Sequence, residues 1–260
     1  MRENTPKTRW KAGEATYGAW LSIPSPFSAE IMAHQGFDWL CIDMQHGLID
    51  YQVAVTMLQA IATTPTIPFV RVPWNEMGII GKMLDAGAYG IVIPMVNSVE
   101  EAKQAVTACR YFPQGSRSFG PVRASYYAGA DYFANANNEI ACIPMIETRQ
   151  AVERLDDILS VPGIDAVYVG PADLSITLGQ QPRMDNEGAF EEARLAIAAA
   201  CKRHGVVAGI HANPSLAAKH AAAGYQMITV GGDAGAIAAG AARDLKVVRD
   251  QAAQGQPVYQ

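Results

Sequence analysis

Eight short apolar runs, each followed by a stretch of helical pattern, leave this chain few folds to choose from. The runs are Tyr17 to Ile23, Phe37 to Asp43, Ile67 to Val72, Gly90 to Pro94, Ile140 to Ile146, Ala166 to Val169, Val206 to Ile210 and Met227 to Val230. They are continuous rather than alternating, which is the pattern of strands buried on both faces of a parallel sheet. Between them lie helical patterns: Ser28 to Gln35, stopped by Gly36; Tyr51 to Thr63, ending before Pro65; Met77 to Ala86; Ser98 to Cys109, opened by a Ser-x-x-Glu capping box; and one after Ile146. Glu187 to His204, Pro214 to Ala223 and an Ala-rich segment from Ala234 to Gln251 complete the series. Strict strand and helix alternation predicts an α/β fold, a (β/α)8 barrel rather than an open doubly wound sheet. No linker divides it, so residues 1–260 are expected to form one domain. Residues 1–13 read as a mobile arm or surface lead-in, and the alternation lapses between Tyr111 and Asn138, a connection long enough to expect a function for it.

A barrel of this kind carries its active site at the C-terminal ends of the strands, so polar residues there are the candidates. Glu147 ends the fifth run and Asp173 follows the sixth, past Gly170, Pro171 and Ala172. Neighbouring strands lie about 4.8 Å apart, close enough for two such carboxylates to share one ion. Oxygen ligands with no Cys or paired His nearby point to a hard cation, Mg²⁺ or Mn²⁺, with Co²⁺ a third choice. Taken singly, either acid also fits a helix-capping role. Asp43 and His46 follow the second strand, where an acid that orients an imidazole makes a general base; the plainer alternative is a turn in which Asp43 binds backbone amides. Arg71 ends the third apolar strand, where its guanidinium needs an anion, from the protein or from a substrate. His211 is expected to line the pocket, His34, His204 and His220 to lie on the surface, and Gly231-Gly232-Asp233 lacks the basic residue of a phosphate site.

Composition removes other classes. A net charge of -5 without clustered Lys and Arg argues against a nucleic-acid or anionic-membrane partner. No apolar run approaches the roughly 20 residues that span a bilayer, and no secretory leader is seen, so the cytoplasm is expected. Cys41, Cys109, Cys142 and Cys201 are scattered and read as buried free thiols. None of the lysines ends a strand, which disfavours a Schiff-base aldolase and favours metal-assisted chemistry.

The pieces Asp43-x-x-His46-Gly47, Phe69-Val70-Arg71, Leu84-Asp85-Ala86-Gly87-Ala88, Pro94-Met95-Val96, Ile146-Glu147-Thr148 and Gly170-Pro171-Ala172-Asp173-Leu174-Ser175 occur in this order. Together they resemble the metal-dependent class II pyruvate aldolases of the 2,4-dihydroxyhept-2-ene-1,7-dioate aldolase type, relatives of the citrate lyase β subunit. The resemblance runs from about Tyr17 to Gln251. It implies that Glu147 and Asp173 hold the metal, Arg71 binds the keto oxygen, and His46 with Asp43 acts as base through a water. It also implies that the backbone from Gly170 to Asp173 receives the substrate carboxylate and that Asp85 lies near the base across a subunit boundary. A homohexamer that exchanges C-terminal helices is implied as well. The loop from Ser116 to Pro121 is similar to one bordering the acceptor pocket in such aldolases, which makes the nearby Arg123 a candidate for acceptor binding. Met145 departs from the pattern, which has glutamine there. The expected activity is reversible cleavage of a 4-hydroxy-2-oxo acid to pyruvate or hydroxypyruvate and an aldehyde. A CoA-ester lyase of the same superfamily and a non-catalytic binding barrel are the alternatives.

Overall fold

A computed structural model describes residues 1–253; residues 254–260, the end of the expected domain, lie outside the described residues. Its strands are β1 (Thr16–Leu21), β2 (Trp39–Asp43), β3 (Ile67–Arg71), β4 (Gly90–Ile93), β5 (Ala141–Ile146), β6 (Ala166–Val169), β7 (Val207–Ile210) and β8 (Met227–Gly232). All pair in parallel with their chain neighbours, and β8 closes on β1. The expected barrel is therefore the fold.

Its inside is packed by matching large side chains to missing ones. Trp39 lies opposite Gly18 in the β1 to β2 register and stacks on Phe69, with ring centroids 5.7 Å apart. A Cβ on Gly18 would fall in the Trp39 ring, and one on Gly90 would press on Phe69. These glycines are sites of close approach, not of unusual backbone.

The helices are α1 (Thr5–Lys11), α2 (Pro26–Ala33), α3 (Tyr51–Ile61), α4 (Met77–Asp85), α5 (Val99–Cys109), α6 (Ala124–Ala128) and α7 (Tyr132–Glu139). They continue with α8 (Arg149–Glu153), α9 (Leu155–Leu159), α10 (Pro171–Thr177), α11 (Ala189–His204), α12 (Ala217–Ala222) and α13 (Asp233–Ala253). The Ser98 cap is formed, its hydroxyl accepting from the Glu101 amide at 3.2 Å.

Several expectations need correction. The N-terminal arm is α1, docked under the barrel: Asn4, Lys7 and Trp10 are buried, Lys7 Nζ pairs with Asp165 at 2.7 Å, and Trp10 Nε1 donates to Thr16 Oγ1 at 2.7 Å. Its polar composition concealed three side chains that each find a specific partner. The stretch from Tyr111 to Asn138 holds α6 and all but the last residue of α7, and both meet the N-terminal arm: the Arg2 amide donates to the Ala128 carbonyl and Asn4 Nδ2 to the Glu139 carbonyl at 2.7 Å. His220 is fully buried against Tyr225 rather than on the surface. Asp173 is not at a strand end but in the first turn of α10, which Pro171 begins at a position where its missing N–H costs nothing. The Ala-rich α13 is exposed along much of its length, including Ile237, Leu245 and Val247. Among the described residues no helix is long and apolar enough to cross a membrane.

Candidate active site

A cavity of about 380 Å³ opens at the C-terminal ends of the strands and is lined by Asp43, His46, Arg71, Glu147, Gly170 to Asp173 and His211, among others. The alternation of side chains along a strand explains the gathering: Asp43, Arg71 and Glu147 share the inward parity of Trp39, Phe69 and Met145.

Asp43 is buried and committed to Arg71. Arg71 Nε donates to Oδ1 at 2.8 Å and Nη2 to Oδ2 at 2.6 Å, a bidentate fork. Asp43 Oδ1 also accepts from the amides of Gln45 and His46 at 3.0 and 3.2 Å. Burial opposes its ionisation, but the Arg71 fork outweighs burial and holds the carboxyl below the usual range. Among the described residues no bond joins Asp43 to the His46 ring, which is exposed at the cavity edge. The expectation that Asp43 orients the imidazole is therefore corrected: the acid has two closer claims on its oxygens, a guanidinium and the turn's own amides.

Glu147 is buried at 2 % exposure, with Oε1 accepting from the Met95 amide at 2.8 Å. Met95 has φ of 57°, in the left-handed region, and that turn aims its N–H at the carboxylate. Burial pushes Glu147 up to about 7, assisted by the charge of Asp173. A Cβ on Gly170 would collide with Glu147 Oε2, so the residue at 170 must lack one for the acid to sit where it does. Asp173 lines the same cavity and, among the described residues, has no ion-pair partner.

Of the other lining residues, Trp20 and Tyr168 gave no signal in the sequence beyond their core-like setting. Trp20 stacks under Arg71, whose guanidinium carbon is 4.3 Å from the ring centre. Tyr168 and Thr229 bond to Trp20 beneath it, and Pro182, Arg183 and Met184 form one rim. Strand parity could have found Trp20 and Tyr168, since each precedes its strand end on the inward side. His211 lines the pocket as expected, and burial with the nearby Arg71 pushes it down to about 4.

Asp85 and Arg123 do not reach this cavity. Asp85 ends α4, at the opposite end of the barrel, and accepts from Arg117 Nη2 at 2.7 Å. Arg123 donates to the carbonyls of Ala86 and Leu58, near the C-terminal ends of α4 and α3, where a cation complements the helix dipoles.

Residues 16–239 match the family model described as HpcH/HpaI aldolase/citrate lyase. The chain belongs to the HpcH/HpaI aldolase/citrate lyase family. A hydroxypyruvate/pyruvate aldolase of Rhizorhabdus wittichii is 40% identical over 243 residues, 92% of this chain and 96% of that protein. A 4-hydroxy-2-oxo-heptane-1,7-dioate aldolase of Salmonella dublin is 41% identical over 247 residues, 92% of each chain. Among solved structures, an HpcH/HpaI family protein of Burkholderia cenocepacia superposes with a TM-score of 0.88 at 35% identity, covering 95% of this chain and 99% of its own. In this family setting the two carboxylates, the Arg71 fork and His46 stand at one cavity rather than scattered over the barrel.

Proposed function

We propose that this member of the HpcH/HpaI family is a divalent-metal-dependent aldolase that reversibly cleaves a 4-hydroxy-2-oxo acid to pyruvate or hydroxypyruvate and an aldehyde. The observation that carries the reading is Glu147: a buried carboxylate, one oxygen on an amide and the other without a protein donor among the described residues, facing a second acid. Such a pair repels itself unless a cation lies between, and an all-oxygen donor set suits Mg²⁺ or Mn²⁺. Glu147 and Asp173 would hold the ion, which supplies Lewis-acid charge beside the 2-oxo acid.

The protein groups divide the rest of the chemistry. The amides of Ala172 and Asp173, at the start of α10, donate to the substrate carboxylate. Arg71, fixed by Asp43 and Trp20, spends Nε and one Nη on the acid and keeps its remaining N–H groups for the keto oxygen. Cleavage begins when His46, directly or through a water, takes the C4 hydroxyl proton. The C3–C4 bond then breaks, its electron pair passes into the C2–C3 enolate, and the aldehyde departs. Charge grows on the keto oxygen, where Arg71 stabilises it. Protonation at C3 releases the 2-oxo acid, and the reverse sequence makes the bond.

Asp85 and Arg123, at the far end of this barrel, would serve a site only in a neighbouring subunit. The exposed apolar residues of α13 favour such a homo-oligomer. The test is direct. Metal-stripped protein releases no pyruvate from a 4-hydroxy-2-oxo acid, regains activity with Mg²⁺ or Mn²⁺, and loses it in Glu147→Ala. Full activity in chelator overturns the reading.

A further inference from the structure

The cavity floor contains a hydrogen-bond chain whose direction sets the tautomer of His211. Trp20 Nε1 donates to Tyr168 Oη at 3.0 Å and to Thr229 Oγ1 at 2.8 Å. The two hydroxyls bond to each other, and Tyr168 Oη lies 3.3 Å from His211 Nδ1. Tyr168 and Thr229 are fully buried, so each hydroxyl proton needs an acceptor. If Tyr168 donated to Thr229, the Thr229 proton would find none among the described residues. The opposite direction satisfies both: Thr229 donates to Tyr168, and Tyr168 donates to His211 Nδ1. The single proton of the neutral imidazole then sits on Nε2. Burial and Arg71 hold the ring far below neutral pH in its titration, so this N–H persists through the working range.

Among the described residues, Nε2 has no protein partner, and His211 lines the cavity with its ring centre 5.5 Å from that of Trp20. Resting on the aldolase reading above, the substrate carboxylate, keto oxygen and C4 hydroxyl already have partners. The oxygen that separates hydroxypyruvate from pyruvate, the one on C3, does not. We propose that the Nε2–H of His211 donates to that C3 oxygen and makes this chain select 3-hydroxylated 2-oxo acid donors over pyruvate. A pyruvate methyl in the same place leaves the donor unpaired, which is how a polar site rejects an analogue that lacks the hydroxyl. His211 is thus a specificity residue, with Tyr168 and Thr229 positioning it.

Donor recognition can be read without knowing the aldehyde, because the enolate exchanges C3 protons with solvent. The holoenzyme loaded with Mn²⁺ is incubated in D₂O with pyruvate or hydroxypyruvate, and C3–H loss is followed by mass spectrometry. Wild type exchanges hydroxypyruvate with the higher kcat/KM. His211→Phe lowers that value by about tenfold, the size of one neutral hydrogen bond, and leaves the value for pyruvate equal or higher, because the donor that pyruvate left unpaired is gone. His211→Gln, which retains an N–H donor, keeps part of the preference, and this guards against a folding defect in the Phe variant. Equal losses on both donors, or no loss on either, overturn the inference. If wild type exchanges neither donor with metal present, the aldolase reading itself fails and takes this inference with it.

Discussion

Arg71 grips Asp43 with two parallel hydrogen bonds, 2.8 and 2.6 Å long, while the ring of His46, three residues along the same turn from Asp43, takes no part. Both members of this pair are buried, so their charges are bound to one another in a region where losing one strands the other. On the proposed mechanism, Asp43 would position the guanidinium that meets the keto oxygen rather than the imidazole that acts as base.

The two roles separate experimentally. Asp43→Ala leaves a buried guanidinium without its partner and should cost about 3 kcal/mol in urea denaturation, together with most of the activity. His46→Ala removes an exposed side chain, so stability should stay within about 0.5 kcal/mol while kcat falls by roughly 100-fold or more. If the wild-type acid limb of the pH–rate profile moves in Asp43→Asn as though the His46 ring had lost a carboxylate partner, the assignment of Asp43 to Arg71 is wrong.

Glu147→Gln keeps shape and removes charge. Calorimetry should register no Mn²⁺ binding, and the melting temperature of the variant should no longer rise with added metal. Without metal the variant should be as stable as wild type or more so, because the charge it removes is buried and only half satisfied. A variant less stable than metal-free wild type would mean that Glu147 serves the fold.

Gly170→Ala tests the same acid from its neighbour. The backbone there, at φ of -91°, accepts alanine, so folding should be retained. The new methyl occupies the space of Glu147 Oε2 and must displace it, so Mn²⁺ affinity should fall by about 10- to 100-fold, the usual cost of disturbing a ligand's support. Unchanged affinity would show that Glu147 can move aside without consequence.

Much of this was legible in the chain because parallel strands advertise themselves as apolar runs and a barrel fixes where their ends point. Asp43, Arg71 and Glu147 each end such a run and each reaches the cavity. Asp85, expected across a subunit boundary, and Arg123 stand apart from this cavity for a geometric reason: a helix returns to the far end of the barrel, so residues near in sequence to site motifs can face away from it. Trp20, Tyr168 and Thr229 were hidden because an inward aromatic or threonine reads as core until its polar atom is seen bonded beneath a cavity. Lys7 and His220 look solvated in sequence, and only tertiary contacts with Asp165 and Tyr225 bury them.

His220 also gives a prediction whose sign follows from its surroundings. Burial, and then the cation of Arg194, 3.5 Å from Nδ1, push it down to about 4. In the unfolded chain a histidine titrates near about 6.5. Between those values the unfolded state holds a proton that the folded state does not, so stability falls as pH drops from about 6.5 towards 4 and is unaffected by this group above that window. His211 has the same displacement and adds to the slope. Because His220 Nε2 has no partner among the described residues, His220→Phe removes the titration while sacrificing only the long contact to Arg194. Urea midpoints measured at pH 5 and pH 7.5 should therefore lie closer together in His220→Phe than in wild type, by about half the wild-type difference assigned to the two histidines. An identical gap in the two proteins would show that His220 takes up its proton in the folded state as readily as in the unfolded one.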